Sequence, residues 1–441
     1  MENPMKIEII SKETIKPSSP TPQNLQTFQL TFVDQLMVPT YTPILLFYPI
    51  DSDNCIDKLD IAAKSQRLKK SLSETLTHFY PVAGRVKDNT VIECNDAGVE
   101  FVEARVTGSL SDFFEKPDLD SLDKFLPIEI LPSKPTNGSL LYVQTNFFDC
   151  GSLTLAVSFC HKFGDASTIS TFVKCWSAIA FGDMAESMLP KYVVGTALHP
   201  SGDSSIVLPP IQIKLSPKCV TRRYVFEESK LAELKTKIAS TTELKPTRVE
   251  AVTALIWKCA NTASRTNLGS NTRPYLMSQS VNIRKRVSPS LPENSVGNFI
   301  GQIIVGPEEG EIDLQQLVIQ MRKSLAEYSE NILAHMLQDQ SVFFKIYDAM
   351  NDSKLETKLD EVDFYSFTSW CRLSFYEADF GWGRPKWATL PSFTAKNSML
   401  LMDTSDGKGI EALLSLSEQD MAVLGRNEEF IEFASLNPSI K

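Results

Sequence analysis

The sequence predicts an α/β protein built from two similar mixed-sheet domains. The chain has 441 residues, too many for one typical domain, and this length favours two or three. Strand patterns alternate with helical patterns of about 10–20 residues, without a Gly-rich phosphate-binding turn between them. A proline-rich stretch at 184–222 interrupts this pattern near the middle of the chain, as expected of a linker.

The first half combines alternating or continuous apolar runs with two amphipathic segments. A turn at 149–151 separates two of the strands, and Pro81 and Gly84 precede a hairpin or meander. The final helix has Ser167 or Asp165 as its candidate N-cap. The predicted elements are strands at 5–15, 43–49 and on both sides of 149–151, and helices at 61–79 and 166–182.

The second half shows a similar succession of strand and helix patterns. The predicted strands cover 221–226, 273–287, 363–370, 398–405 and 409–417, and the predicted helices cover 228–238, 247–263, 313–338 and 418–434. We therefore predict an N-terminal domain at 1–183, a crossover at 184–222 and a C-terminal domain at 223–441. Part of 361–385 is expected to pack with the first domain. A site at the interface between the two domains is expected.

Composition and motifs exclude several classes of protein. The formal net charge is 44 − 54 = −10, which argues against a general nucleic-acid binder. The sequence has no G-x-S-x-G, Walker A, G-x-G-x-x-G or H-E-x-x-H motif. Its eight cysteines include no C-x-x-C pair, and no metal site is predicted. The start of the chain has no apolar signal segment and no long apolar run follows, so we expect a protein of the cytoplasm.

His161 is the leading candidate for a catalytic side chain. It follows the apolar run LTLAVSFC, and Asp165 lies four residues further on. A histidine where a buried strand meets a cleft can act as a general base. The local sequence is equally compatible with a satisfied core histidine. His199 also has an aspartate four residues later, but it lies in the proline-rich stretch and is best interpreted as a solvated loop residue.

Two further segments have both a structural and a functional interpretation. The stretch 367–387 contains Gly-Trp-Gly at 381–383, which favours an aromatic-stiffened loop over direct chemistry. The segment 280–287 is expected to be a strand with Arg284 and Arg286 on one face. These arginines form either a solvated edge or an inward pair with a carboxylate.

The sequence contains HKFGD at 161–165 and, about two hundred residues later, DFGWG at 379–383. In this order and at this separation, the two motifs resemble the BAHD family of plant acyl-CoA-dependent acyltransferases. VDQL at 33–36, LTHFYPVAGR at 76–85, SVNIRKR at 280–286 and GN at 297–298 also look like this family. The resemblance covers nearly the whole chain and is strongest to the vinorine synthase-like branch, whose members acetylate hydroxyls of alkaloids and related terpenoids.

The resemblance implies a monomer with two domains that resemble chloramphenicol acetyltransferase. Acyl-CoA and the acceptor would enter a solvent channel between the domains from opposite faces. His161 corresponds to the general base, and Asp165 to an aspartate that turns away from substrate and pairs with Arg284. The structural loop corresponds to Asp379, Phe380, Gly381, Trp382 and Gly383. Gly164 is expected to add a flexible residue beside Asp165.

The implied reaction is direct O-acylation in a ternary complex with no bound cofactor. Acetyl-CoA is the expected donor, and an alkaloid or terpenoid hydroxyl is the expected acceptor. A limonoid or triterpenoid, a simple alcohol, an amine, or a non-catalytic ligand-binding role remain alternatives. Because the chain is acidic, the phosphates of CoA need a local group of cations, and the candidates are Lys245, Arg248 and Lys258.

Overall fold

The computed structural model describes residues 5–50, 61–127, 138–193, 219–239, 244–269, 274–306, 313–339, 341–342, 345–346, 348, 361–392 and 395–441. Most of the predicted crossover, residues 194–218, lies outside this part of the chain. No helix within the described ranges is both long and apolar enough to cross a bilayer.

Eighteen strands are found in the described residues, and most contain the β-branched and aromatic side chains that favour extended backbone. In chain order they are β1 (Ile7–Ile15), β2 (Thr27–Gln29), β3 (Tyr41–Tyr48), β4 (Arg85–Lys87), β5 (Val91–Glu93), β6 (Val99–Val106), β7 (Leu141–Phe148), β8 (Leu153–Cys160), β9 (Lys191–Tyr192), β10 (Cys219–Phe226), β11 (Tyr275–Asn282), β12 (Ser295–Val296), β13 (Ile300–Val305), β14 (Asp363–Ser369), β15 (Trp387–Thr389), β16 (Ser398–Asp403), β17 (Ile410–Ser417) and β18 (Ser435–Leu436).

The α-helices place apolar side chains at intervals of three or four residues. In α2, for example, Leu68, Leu72 and Leu76 are fully buried along one face, as the helical period requires. The helices are α1 (Phe32–Leu36), α2 (Ile61–His78), α3 (Leu110–Glu115), α4 (Ala166–Phe181), α5 (Glu228–Ala239), α6 (Arg248–Leu268), α7 (Leu314–Glu327), α8 (Leu333–Gln338), α9 (Glu418–Leu424) and α10 (Glu428–Ile431). A π-helical turn at Tyr328–Ile332 joins α7 to α8, within the single helix predicted at 313–338.

The strands form two large mixed sheets. The first has the order β1-β6-β7-β8-β3-β15 and contains one parallel pair, β6 with β7. The second has the order β13-β11-β14-β16-β17-β10-β18, and β14 runs parallel to both β11 and β16. The small parallel pair of β9 with β12 links the two halves of the chain just before Gly297.

Each large sheet has its own cluster of buried apolar side chains, but the chain crosses between the clusters. Phe32, Val33 and Leu36 of α1 pack in the cluster of the second sheet. Conversely, side chains between Trp370 and Leu390 pack in the cluster of the first sheet, and β15 pairs with β3. These two crossings bring segments that are distant in sequence to the same region.

Two predicted elements differ from the structure. The single helix expected at 418–434 is two short helices, α9 and α10, separated by residues 425–427. The strand expected at 273–287 ends at Asn282, and residues 284–286 form a turn. Arg284 and Arg286 therefore do not share a strand face: Arg284 is 1% exposed, whereas Arg286 is exposed. The turn is favoured because the guanidinium of Arg284 obtains buried acceptors that an edge strand would not provide.

Candidate active site

His161 is the first residue after β8, whose eight residues are all buried. Its backbone N–H donates to the carbonyl of Thr40 at 2.8 Å, and its own carbonyl accepts from the side-chain amide of Asn298 at 2.8 Å. The residue as a whole is half-buried, and its Nδ1 atom is enclosed and has no hydrogen-bond partner among the described residues. The backbone is thus fixed on both sides of the imidazole.

Asp165 begins the helix that follows His161. It is the N-cap of α4, and its Oδ1 accepts from the backbone N–H of Thr168 at 3.0 Å. Of the two cap candidates in the sequence, Ser167 and Asp165, the structure selects Asp165. An N-cap carboxylate satisfies a helix donor that would otherwise have no partner, so it is oriented by the helix as well as by its charge.

Asp165 and Arg284 form a bidentate ion pair. Arg284 Nη1 lies 2.7 Å from Oδ2 and Nη2 lies 2.9 Å from Oδ1. The two residues are 3% and 1% exposed, and Arg284 also donates to the carbonyls of Ser295 and Gly297. The backbone N–H of Phe299 adds a donor to Asp165 at 3.0 Å. Two parallel hydrogen bonds between a guanidinium and a carboxylate are among the stronger hydrogen bonds in proteins.

Gly164 is required for close packing. A Cβ at this position would lie 2.5 Å from the Thr168 side chain. The hydroxyl of Thr168 donates to the carbonyl of Gly297 at 3.0 Å and accepts from the Gly297 N–H at 3.1 Å. The interpretation of Gly164 as an added flexible residue is therefore wrong, because its missing side chain allows α4 to contact the segment after β12.

Three residues around His161 were not singled out from the sequence. Asp34 is 1% exposed and accepts from both the backbone and the side chain of Asn298. Lys162 is also 1% exposed, and its Nζ donates to the carbonyl of Gln35 at 2.7 Å. Burial lowers the pKa of Lys162 to about 8. The motifs VDQL and GN contain Asp34 and Asn298, but the two lie 264 residues apart, so local patterns could not pair them.

The DFGWG loop supports the other end of α4. Asp379 Oδ1 accepts from the N–H groups of Gly381 and Gly383 at 2.8 and 3.0 Å, and both glycines have positive φ. Phe380 is fully buried and packs edge-on against Trp176, while Trp382 stacks on Phe380. Trp176 lies eleven residues after Asp165, or about 16 Å along the helix axis, so the loop braces α4 from a distance.

The three candidate CoA contacts lie on or beside α6. Arg248 donates to Asp403 at 2.9 Å and to the carbonyls of Gly407 and Gly409. Lys258 pairs with Glu429 at 2.7 Å, and Lys245 is exposed. Their predicted contact with phosphate stays a prediction, and two of the three cations already have carboxylate partners.

A cleft of about 530 Å³ lies next to Arg284. It is formed by the exposed face of α4, the turn at 284–286 and the segment after Trp370. Its lining contains the cations Lys174, Arg284, Lys285, Arg286 and Arg372 and a single carboxylate, Glu293. Lys245, Arg248 and Lys258 do not line it. Three of these cations are paired with carboxylates, Arg284 with Asp165, Lys285 with Glu293 and Lys174 with Glu377. The excess of positive charge on this acidic chain therefore comes from Arg286 and Arg372.

The electrostatic environment keeps His161 neutral at neutral pH. Burial lowers the pKa of His161, and the nearby Lys162 charge acts in the same direction. Hydrogen bonding and the charge of Asp165 oppose these effects without reversing the direction. A neutral imidazole that is fixed at the end of a strand can accept a proton from a substrate. The arrangement is therefore chemically suited to general-base catalysis.

Comparisons with known proteins identify the family. A family model described as the Transferase family matches residues 5–431. Vinorine synthase of Rauvolfia serpentina is 35% identical over 424 residues, which cover 95% of this chain and 96% of that enzyme. Epi-neemfruitin B 7-O-acetyltransferase of Melia azedarach is 36% identical over a gapped alignment of 471 positions, which covers 99% of this chain and all of that enzyme. The chain belongs to this family, the BAHD acyltransferases, and is itself an acyltransferase.

Solved structures agree with this assignment. The crystal structure of vinorine synthase has a TM-score of 0.84 and covers 99% of this chain and 100% of its own. TRI101 of F. sporotrichioides, complexed with coenzyme A and T-2, has a TM-score of 0.69 at 19% identity and covers 93% of this chain and 99% of its own. The second likeness concerns the fold alone. The predicted fold class, two mixed-sheet domains of the BAHD type, is confirmed.

The direction of the His161 pKa predicts the acid limb of the pH–rate profile. As the pH falls, protonation of the imidazole removes the base, so kcat/KM for acyl transfer decreases. Because burial lowers the pKa, the midpoint of this decrease is expected below the ordinary histidine value of about 6.5. The profile should be measured where circular dichroism shows an intact fold. A midpoint above 6.5 would contradict the assigned environment.

Proposed function

We propose that this protein transfers an acetyl group from acetyl-CoA to a hydroxyl of a plant alkaloid or terpenoid. The observation that carries the proposal is the placement of a neutral His161 at the end of β8, on a loop anchored by the Asp165–Arg284 pair. The names of two relatives, stemmadenine O-acetyltransferase of Catharanthus roseus and limonoid 7-O-acetyltransferase of Citrus sinensis, support an acceptor hydroxyl of this kind.

The proposed chemistry is a direct transfer. His161 removes the proton from the acceptor hydroxyl while the oxygen attacks the thioester carbonyl. The tetrahedral intermediate then collapses, the C–S bond breaks, and the imidazolium returns the proton to the sulfur of CoA. The products are the acetyl ester and free CoA. Since no acyl-enzyme forms, donor and acceptor must be bound together.

We further propose that the cleft beside Arg284 receives the phosphates of CoA. Lys285 and Arg286 lie on the turn that also positions Arg284, and Arg372 faces the same cleft from the segment after β14. Glu293 partly neutralises Lys285, and Glu377 pairs with Lys174. For Arg372 the described residues show no carboxylate paired with its guanidinium. Placing the phosphates here would bring the donor close to the His161 loop.

The proposed setting of the reaction is the cytosol, with the chain acting as a monomer. The described cysteines Cys94, Cys150, Cys160, Cys175, Cys219, Cys259 and Cys371 carry free thiols. This is the state expected in a reducing compartment.

The reaction itself is tested by incubating the protein with acetyl-CoA and a panel of alkaloid, limonoid, simple-alcohol and amine acceptors. We expect mass spectrometry to detect the gain of one acetyl group on an alkaloid or terpenoid alcohol. His161→Ala should lower kcat by at least about 10²-fold, whereas His335→Ala, at a histidine whose side chain is 63% exposed, should keep full activity. Full activity in His161→Ala would exclude the mechanism. Ligand-dependent stabilisation without turnover of any acceptor would instead favour a binding protein.

The phosphate site is tested by comparing two sets of neutral variants. Lys285→Gln, Arg286→Gln and Arg372→Gln should each raise the KM for acetyl-CoA by about tenfold with little change in kcat, since a hydrogen bond to a charged group contributes about 1.5 kcal/mol. Lys245→Gln and Lys258→Gln are the matched controls. The reverse result, with KM raised only in the controls, would place the phosphates beside α6.

A further inference from the structure

The side chains of the second large sheet point to two opposite sides. Alternate residues of its strands, such as Met277, Ile303 and Phe367, pack in the apolar cluster of that sheet. The residues between them point to the other side, and on β16 and β17 two of these, Leu400 and Leu413, pack in the cluster of the first sheet. This second set therefore forms an inner face, which is turned toward the first sheet.

One row of inner-face residues crosses five neighbouring strands. In the order β13, β11, β14, β16 and β17 it consists of Gln302, Ser280, Thr368, Leu400 and Leu413. The first residue of this row is exposed, the next two are half-buried, and the last two are 6% and 2% exposed. The two sheets are therefore in contact at β16 and β17, whereas the inner face of β14, β11 and β13, which we call the open inner face, is accessible to solvent.

Three polar side chains on the open inner face are joined by hydrogen bonds. Gln302 Nε2 donates to Ser280 Oγ at 2.9 Å, and Ser280 Oγ lies 3.3 Å from Thr368 Oγ1. The amide of Gln302 has one further N–H and a carbonyl oxygen, for which the described residues supply no partner. The amide is thus oriented by its neighbours and still presents a donor and an acceptor to a ligand.

The open inner face lies beside the candidate base. Asn282, at its end on β11, donates from Nδ2 to Ser167 Oγ at 3.0 Å, and Ser167 belongs to the first turn of α4. On the β13 side, Asn298 donates to the carbonyl of His161 at 2.8 Å. Gln302 follows Asn298 by four residues, so their Cα atoms are at most about 14 Å apart. A polycyclic small molecule can span a distance of this size.

Charge distinguishes the open inner face from the cleft beside Arg284. The side chains of this face are all neutral, since they belong to Ser, Thr, Asn, Gln, Ile, Leu and Phe. The cleft has Asn282 in its wall, and its cations lie beyond the end of β11. From Asn282 the open inner face extends the other way, back along β11. A donor with phosphates is therefore favoured in the cleft, and a neutral ligand on this face.

We infer that the open inner face binds the acceptor and that Gln302, together with Ser280 and Thr368, determines which acceptor is bound. The inference rests on the proposed function, because it places the second substrate of that reaction. Ile300 and Ile304 lie on either side of Gln302 on the same face of β13, and Ile304 is 51% exposed. An apolar surface with a few oriented hydrogen-bonding groups suits a neutral polycyclic skeleton with hydroxyl or carbonyl groups.

The inference is tested by isothermal titration calorimetry of the full-length protein with two probes, the neutral tetracyclic alcohol testosterone and CoA. Gln302→Leu and Thr368→Val should each weaken testosterone binding by about fivefold, because each removes a hydrogen-bonding group and keeps a similar shape. The affinity for CoA should change by less than about twofold. Weaker CoA binding with unchanged testosterone binding would place the donor on this face and contradict the inference. A wild type that binds CoA but not testosterone would also contradict it.

A matched control and a charged variant sharpen this test. Gln279→Leu changes the neighbour of Ser280 on β11, but residue 279 points to the opposite face of the sheet, so binding of both probes should be unchanged. Gln302→Glu places a carboxylate on the open inner face. It should bind the protonated amino alcohol tropine about fivefold more tightly than the wild type does, through attraction between opposite charges. Unchanged tropine binding would show that residue 302 does not face the ligand.

Turnover separates this inference from the proposed function. With an acceptor that the wild type acetylates, Gln302→Leu should raise the KM for that acceptor by about fivefold, with kcat and the KM for acetyl-CoA within about twofold of the wild type. A rise confined to the KM for acetyl-CoA would contradict the inference. If no acceptor is acetylated, the proposed function fails, while the calorimetric titrations still decide whether the open inner face binds a neutral skeleton.

Discussion

The buried ion pair between Asp165 and Arg284 is the interaction on which the site depends. Asp165 is at once the cap of α4 and the partner of an arginine that lies 119 residues further along the chain. The guanidinium in turn binds the carbonyls of Ser295 and Gly297. Two charges removed from water require complete pairing. The pair therefore fixes the helix, the turn after β11 and the loop with His161 in a single arrangement.

The electrostatic environments on the two sides of this ion pair differ. On one side of the α4 N-terminus lies the half-buried His161, whose pKa burial lowers. The other side opens into a cleft with five cations and one carboxylate, on a chain that is acidic overall. Under the proposed function, this short segment would separate the base from the surface that receives the phosphates of the donor.

Local patterns in the sequence predicted the parts of the site that depend on neighbouring residues. The apolar run 153–160 indicated that His161 ends a buried strand, and the position of Asp165 before a helical pattern indicated a cap. For Arg284, the local pattern left a solvated edge and an inward pair both open, and only the family resemblance paired it with Asp165. The pattern also placed Arg284 on a strand rather than in a turn, because alternation cannot show where a guanidinium obtains buried acceptors. The contact of Asp34 with Asn298 could not be predicted, since it depends on α1 packing against the second sheet.

The most direct test of the central claim is a double-mutant cycle of Asp165→Asn and Arg284→Gln, measured as kcat/KM for acetyl transfer. Each single variant leaves one buried polar partner unsatisfied and should lower the rate. If the pair acts as one unit that positions His161, the double variant should lose little more than the worse single variant. If the two losses multiply instead, the residues act independently, and the ion pair is not the constraint that organises the site.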